Sequence, residues 1–125
     1  MRLLLDTHAL LWALGDVAQL HPAAAEAIAD GRNAVYVSAA SVWEAGIKRA
    51  LGKLEAPEDL VGAIERCQFR SLPITPAHAW QAAALPLLHQ DPFDRMLVAQ
   101  AQVEGLTLVS RDERVRAYDV ATFEA

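Results

Sequence analysis

Cysteine is almost absent from this chain: Cys67 stands alone among 125 residues. A single thiol excludes an internal disulfide and suits a reducing compartment. Its setting, "AIERCQFRSL", is apolar and predicts an inert core thiol. No apolar run approaches the roughly 18 residues of a membrane-spanning helix. No basic segment with a cleavage site precedes "MRLLLDTHALLWAL", so a soluble, cytoplasmic protein without membrane association is expected. Proline and glycine number only 6 each, too few for a low-complexity or disordered chain. Positive charge is scarce too: 11 Lys+Arg against 16 Asp+Glu leave a net charge of −5, which argues against a general binder of phosphate backbones. An enzyme acting on nucleic acid stays open, because clustered acids can hold divalent cations that then face phosphate. The usual zinc spacings, CxxC, HxxxH and HExxH, are missing.

What the chain does have is hydrophobic sequence, 54% of it, cut into short pieces. "RLLL" (Arg2 to Leu5), "AVYV" (Ala34 to Val37) and "LTLV" (Leu106 to Val109) read as buried strands. "RSLPI" (Arg70 to Ile74) is a fourth candidate, placed at an edge by Pro73. Helical patterns lie between them: "PAAAEAIADG", "SVWEAGIKRALGKL", "PEDLVGAIERCQF", "TPAHAWQAAALPLL" and "DPFDRMLVAQAQVEG". Strands alternating with helices, with no repeat or linker, imply one α/β domain over residues 1–125: a doubly wound, mostly parallel sheet of four to five strands flanked by helices.

Ligands of such sheets bind beyond the carboxyl ends of the strands. Asp6 directly follows "RLLL", and Asp112 lies in the "SRD" that follows "LTLV". If these strands are neighbours, both acids enter one crevice. Two more acids border apolar helix faces: Glu44, beside Trp43 in a helix that begins near Ser38, and Asp94, i+3, i+4 and i+7 from Leu97, Val98 and Ala101. Each acid also has a local explanation. Asp6 can cap the helix in "THALLWAL", and Asp91 before Pro92 reads as an N-cap with Asp94 reaching back to its N–H. Ser41 with Glu44, and Ser110 with Glu113, match capping boxes. Four independent caps have no reason to converge on two strand ends and two apolar faces. Carboxylates gathered without a cation repel one another, and oxygen-only ligands match Mg²⁺ or Mn²⁺.

Taken together, "LLLDTHALLWAL", "VYVSAASVWEAGIKRALGKL", "LPITPAHA", "HQDPFDRMLVAQA" and "GLTLVSRD" resemble the PIN-domain family over essentially the whole chain, and within it the VapC-type toxins of toxin–antitoxin pairs. The resemblance implies a PIN-like fold and divalent-metal-dependent hydrolysis of RNA phosphodiester bonds. It carries the family's acidic quartet onto Asp6, Glu44, Asp94 and Asp112, and its hydroxyl after the first acid onto Thr7. Ser110 stands where threonine is common and keeps the hydroxyl. Asp6, Asp94 and Asp112 are then ligands of one or two ions, directly or through water; Glu44 ligates, or orients or deprotonates the attacking water. Asp91 caps or supports. A homodimer and a cognate antitoxin are the implied partners, with the helix starting "HALLWAL" as a contact surface.

Lys48, one turn past Glu44, and Arg95, next to Asp94, are candidates for touching phosphate, with solvated or ion-paired roles as the alternative. His8 and His89 flank the acids, but a lone histidine is more often structural than catalytic. Trp12, Trp43 and Trp80 fall on apolar stripes and read as core or interface residues. A haloacid-dehalogenase-like phosphatase needs an aspartate where His8 stands, and a receiver domain needs an aspartate where "AVYVS" ends in Ser38 and a late lysine. The remaining alternative is a non-catalytic interaction module whose acids are only caps.

Overall fold

The computed structural model describes residues 1–125. The three apolar runs form the centre of a five-stranded sheet made of β1 (Arg2–Leu5), β2 (Ala34–Ser38), β3 (Arg70–Leu72), β4 (Thr107–Val109) and β5 (Thr122–Phe123). The strand order is β3-β2-β1-β4-β5 and every pairing is parallel. β3 lies at an edge and stops before Pro73, whose missing N–H cannot extend a ladder. β5 was not anticipated, since two residues carry no periodic signal; it exists because β4 offers it a free edge.

Seven helices connect the strands: α1 (Thr7–Gly15), α2 (Pro22–Ala29), α3 (Ala39–Ala50), α4 (Leu60–Arg66), α5 (Pro76–Ala84), α6 (Pro92–Glu104) and α7 (Glu113–Arg116). Several are shorter than their apolar patterns. α3 ends at Ala50 rather than Leu54, with Gly52 in the left-handed region at φ 69°. α4 starts at Leu60, capped by Asp59, and α5 stops two residues before Pro86. None of the helices is long and apolar enough to cross a membrane.

Alternation along the strands divides the core in two. Leu3, Leu5, Val35 and Val37 pack with Leu10 of α1, Ala24 of α2 and Ile64 of α4. Leu4 and Leu108 face Leu97, Val98 and Ala101 of α6. The sheet is thus covered on both faces, and the strand order reverses between β1 and β4: β2 and β3 are added on one side of β1, β4 and β5 on the other. That is the switch point at which a crevice opens beyond the strand ends.

One sequence expectation about packing fails, and the reading of the tryptophans as core or interface residues is narrowed. Cys67 is exposed, because α4 ends at Arg66 and the chain turns away at Gln68 (φ 60°) before the thiol can enter the core. Trp43 and Trp80 are 64% and 82% exposed, so neither is a core residue. Trp43 rests edge-on against Phe93, with ring centroids 5.3 Å apart.

Candidate active site

The register of the central strands builds the site. Leu5 pairs with Val109, and the Asp6 N–H donates to the Val109 carbonyl at 3.1 Å, continuing the ladder by one residue. Asp6 is thereby set beside Ser110, whose hydroxyl favours its ionised form. Asp6 also caps α1, accepting from the Ala9 N–H at 2.8 Å. It is a cap and a site acid at once. Burial raises its pKa above the ordinary carboxylate value against the pull of these donors.

Glu44 enters from α3, whose N-cap is Ser38, so the match of Ser41 and Glu44 to a capping box was coincidental. Glu44 is buried mid-helix. The Thr7 hydroxyl donates to its Oε1 at 2.5 Å, and Lys48 Nζ donates to its Oε2 at 2.7 Å. Lys48 is therefore paired with Glu44 instead of standing free toward solvent, and that bond holds its pKa up.

Asp91 caps α6, accepting from the Phe93 and Asp94 N–H groups at 2.8 and 3.4 Å. The expected reciprocal bond from Asp94 is missing, because the Asp91 N–H donates to His89 Nδ1 at 3.1 Å. Asp94 is left to face the crevice. Its pKa is pushed up to about 7, first by burial, then by the charge of Asp91, with Asp6 and Glu44 adding to it. Arg95 points the other way: its guanidinium donates to the carbonyls of Ala82, Leu85, Pro86 and His89 at 2.9 to 3.3 Å. Those donors shape the α5–α6 loop, and they are not free for phosphate.

Asp112, not Ser110, caps α7: its Oδ1 accepts from the Arg114 N–H at 2.8 Å, while Ser110 Oγ accepts from the Asp112 N–H at 3.1 Å. Burial would raise the Asp112 carboxyl, but the donors from Arg114 and His89 outweigh it and hold it below the usual range. His89 is the residue whose part the sequence understated. It is buried, and its Nε2 lies 3.0 Å from Asp94 Oδ2 and 3.0 Å from Asp112 Oδ2. The only available signal was its place at the head of "HQDPFD". His8, by contrast, is exposed and stacks on Trp12.

The donors fit a hard divalent cation. One atom each of His89, Asp94 and Asp112 falls within 4.8 Å of the others, and Asp94 also feels the charge of Asp6 and Glu44. All but the imidazole are oxygens, as Mg²⁺ and Mn²⁺ prefer. A carboxyl raised to about 7 by burial, and further by neighbouring acids, is what a site with too little positive charge produces. Capping does not account for Asp94, whose carboxylate contacts His89 rather than a helix N–H.

A doubly wound parallel sheet with buried acids at its switch point matches one family. The family model for the PIN domain covers residues 3–121, and the chain belongs to the PIN-domain family. Ribonuclease VapC22 of Mycobacterium tuberculosis is 30% identical over 118 residues, spanning 92% of this chain and 90% of that protein. Among solved structures, VapBC2 from Rickettsia felis, bound to a fragment of promoter DNA, superposes with a TM-score of 0.68 at 17% identity over 98% of both chains. A toxin–antitoxin complex from Klebsiella pneumoniae gives 0.63 at 19% identity, covering 97% of this chain and 95% of that one.

Proposed function

We propose that this chain, working as a single domain over residues 1–125, is a divalent-metal-dependent endoribonuclease and the toxin of a VapBC-type toxin–antitoxin pair. The observation that carries the reading is the gathering of Asp6, Glu44, Asp94 and Asp112 at the switch point, with Asp94 raised to about 7 by burial and then by its acidic neighbours. Family membership and the relative named as a ribonuclease support RNA as substrate. The toxin–antitoxin complexes among the structural neighbours support an inhibitory protein partner, and a cytoplasmic setting is consistent with both.

In this reading Asp6, Asp94 and Asp112 would hold the ion, directly or through water, and Glu44 would ligate it or orient the attacking water. Bound Mg²⁺ or Mn²⁺ supplies Lewis acidity, which lowers the pKa of a water and stabilises charge on the leaving oxygen. The chain's own groups do the rest. Thr7 and Lys48 fix both oxygens of Glu44, leaving it oriented to accept a proton from the attacking water. Ser110 steadies Asp6, and Asp91 starts α6 so that Asp94 turns inward. Lys48 reaches phosphate only by sharing its ammonium with Glu44.

The test is incubation with total RNA, with Mn²⁺ and with EDTA, followed by mapping of the new ends. Discrete new ends that require the metal and vanish in Asp94→Ala are expected. Undiminished cleavage in excess chelator overturns the mechanism.

A further inference from the structure

We propose that His89 is a positioning residue of the acid cluster: its Nε2–H donates to Asp112 with Asp94 against the same nitrogen, and so presets both acids for the cation. The inference rests on the metal-dependent reading above and deepens it.

The protonation pattern of the ring follows from its partners. A backbone N–H can only donate, and the Asp91 N–H points at Nδ1 from 3.1 Å, so Nδ1 carries the lone pair. The proton of the neutral ring is then on Nε2, between Asp94 Oδ2 and Asp112 Oδ2, each 3.0 Å away. Ligation of a metal through Nε2 would move that proton to Nδ1, against the Asp91 N–H. The imidazole therefore stands outside the coordination shell, donating to Asp112 and keeping Asp94 Oδ2 within 3.0 Å of the same nitrogen. Its two acceptors sit on different elements, α6 and the cap of α7, and repel one another when both are ionised. The ring nitrogen between them, bonded to Asp112 and in contact with Asp94, sets their separation and keeps one oxygen of each toward the ring.

The placement of the ring is itself held from behind. The His89 N–H donates to the Tyr118 hydroxyl at 3.0 Å, and that hydroxyl donates to the Pro86 carbonyl at 2.6 Å. Arg95 Nη1 approaches the same hydroxyl at 3.3 Å and the His89 carbonyl at 3.3 Å. A buried side chain at 4% exposure, with both ring nitrogens and both backbone groups bonded, is fixed far more closely than space-filling requires.

Mn²⁺ binding without RNA tests this, measured from the electron paramagnetic resonance of free Mn²⁺. His89→Leu removes the donor. His89→Gln can return an N–H near the Nε2 position, and His89→Asn has the same polarity but cannot reach. Apo melting temperatures identify the folded variants, and the Gln/Asn contrast decides if Leu fails to fold. The expected result is Mn²⁺ binding weakened by about 10- to 100-fold in the Leu and Asn variants, as for lost outer-shell partners, with most of it recovered in Gln. Unchanged or tighter Mn²⁺ binding in folded Asn and Leu variants overturns the positioning role while leaving the nuclease reading intact. A wild-type protein that binds no Mn²⁺ instead overturns the reading on which the proposal rests.

Discussion

Asp94 shows how one residue can be costly to the fold and useful to the site. Its carboxyl is raised from 3.8 to about 7 in the metal-free fold. Between about pH 4 and 7 the folded chain therefore holds a proton that the unfolded chain has lost. Metal-free stability should fall as pH rises through that window, with the full cost present above 7, on the order of 1–3 kcal/mol. Asp6, also raised, acts in the same direction. Asp94→Asn should flatten this slope and leave apo stability at pH 8 equal or higher, with cleavage lost. Thermal melts in EDTA across pH 5 to 8 check it, and a mutant that is less stable at pH 8 contradicts it. Mn²⁺ should raise the wild-type melting temperature by mass action and raise that of the mutant much less. Asp6 allows a second separation. Asp6→Asn keeps a cap on α1 and Asp6→Ala removes it, so only Ala should cost about 1 kcal/mol of stability, while both should abolish cleavage.

Among the elements, α6 bears most directly on the site. Pro92 and Asp91 start it, and Gly105 at φ 66° ends it and turns the chain into β4. A Cβ on Gly105 would meet nothing within 4 Å, so Gly105→Ala carries only the backbone penalty, about 1 kcal/mol. Denaturant unfolding should show that loss with the Mn²⁺-dependent activity nearly unchanged. Arg95, by contrast, ties four loop carbonyls with one planar fork. Arg95→Lys should restore little of what Arg95→Ala loses, roughly 2 kcal/mol or more, because an ammonium cannot reproduce the fork.

The molecule as a whole leaves apolar surface uncovered. Trp43, Ile47 and Leu51 repeat at four-residue spacing along one side of α3, exposed to 64%, 38% and 63%. Beside α1, a groove of about 470 Å³ runs between His8, Leu11 and Trp12 on one bank and Leu54 and Pro57 on the other. Exposed apolar patches of this size mark contact surfaces, and the α3 stripe is the one the expected homodimer would cover. Light scattering should give a dimer, and Ile47→Glu with Leu51→Glu should give a folded monomer, since exposed substitutions seldom change stability by more than about 0.5 kcal/mol. A wild-type monomer at high concentration refutes the dimer.

The sequence by itself determined the layout: apolar tetrapeptides become buried strands, and Pro22, Pro92, Asp91 and Gly105 mark helix ends, because these are short-range effects of dihedral freedom and burial. It also placed Asp6 and Asp112 at strand ends, where parallel neighbours bring them together. Tertiary structure alone decided what each polar group does on arrival. Nothing local says that the Thr7 hydroxyl will close on Glu44, that His89 will reach Asp112 and Tyr118, or that Arg95 will turn to the loop. Nor does apolar periodicity reveal that Cys67 and Trp80 stay outside, since burial depends on which surface a neighbouring element covers. Hydrogen bonds across 20 or 30 residues and the electrostatics of a shared crevice depend on distances that only the folded chain defines.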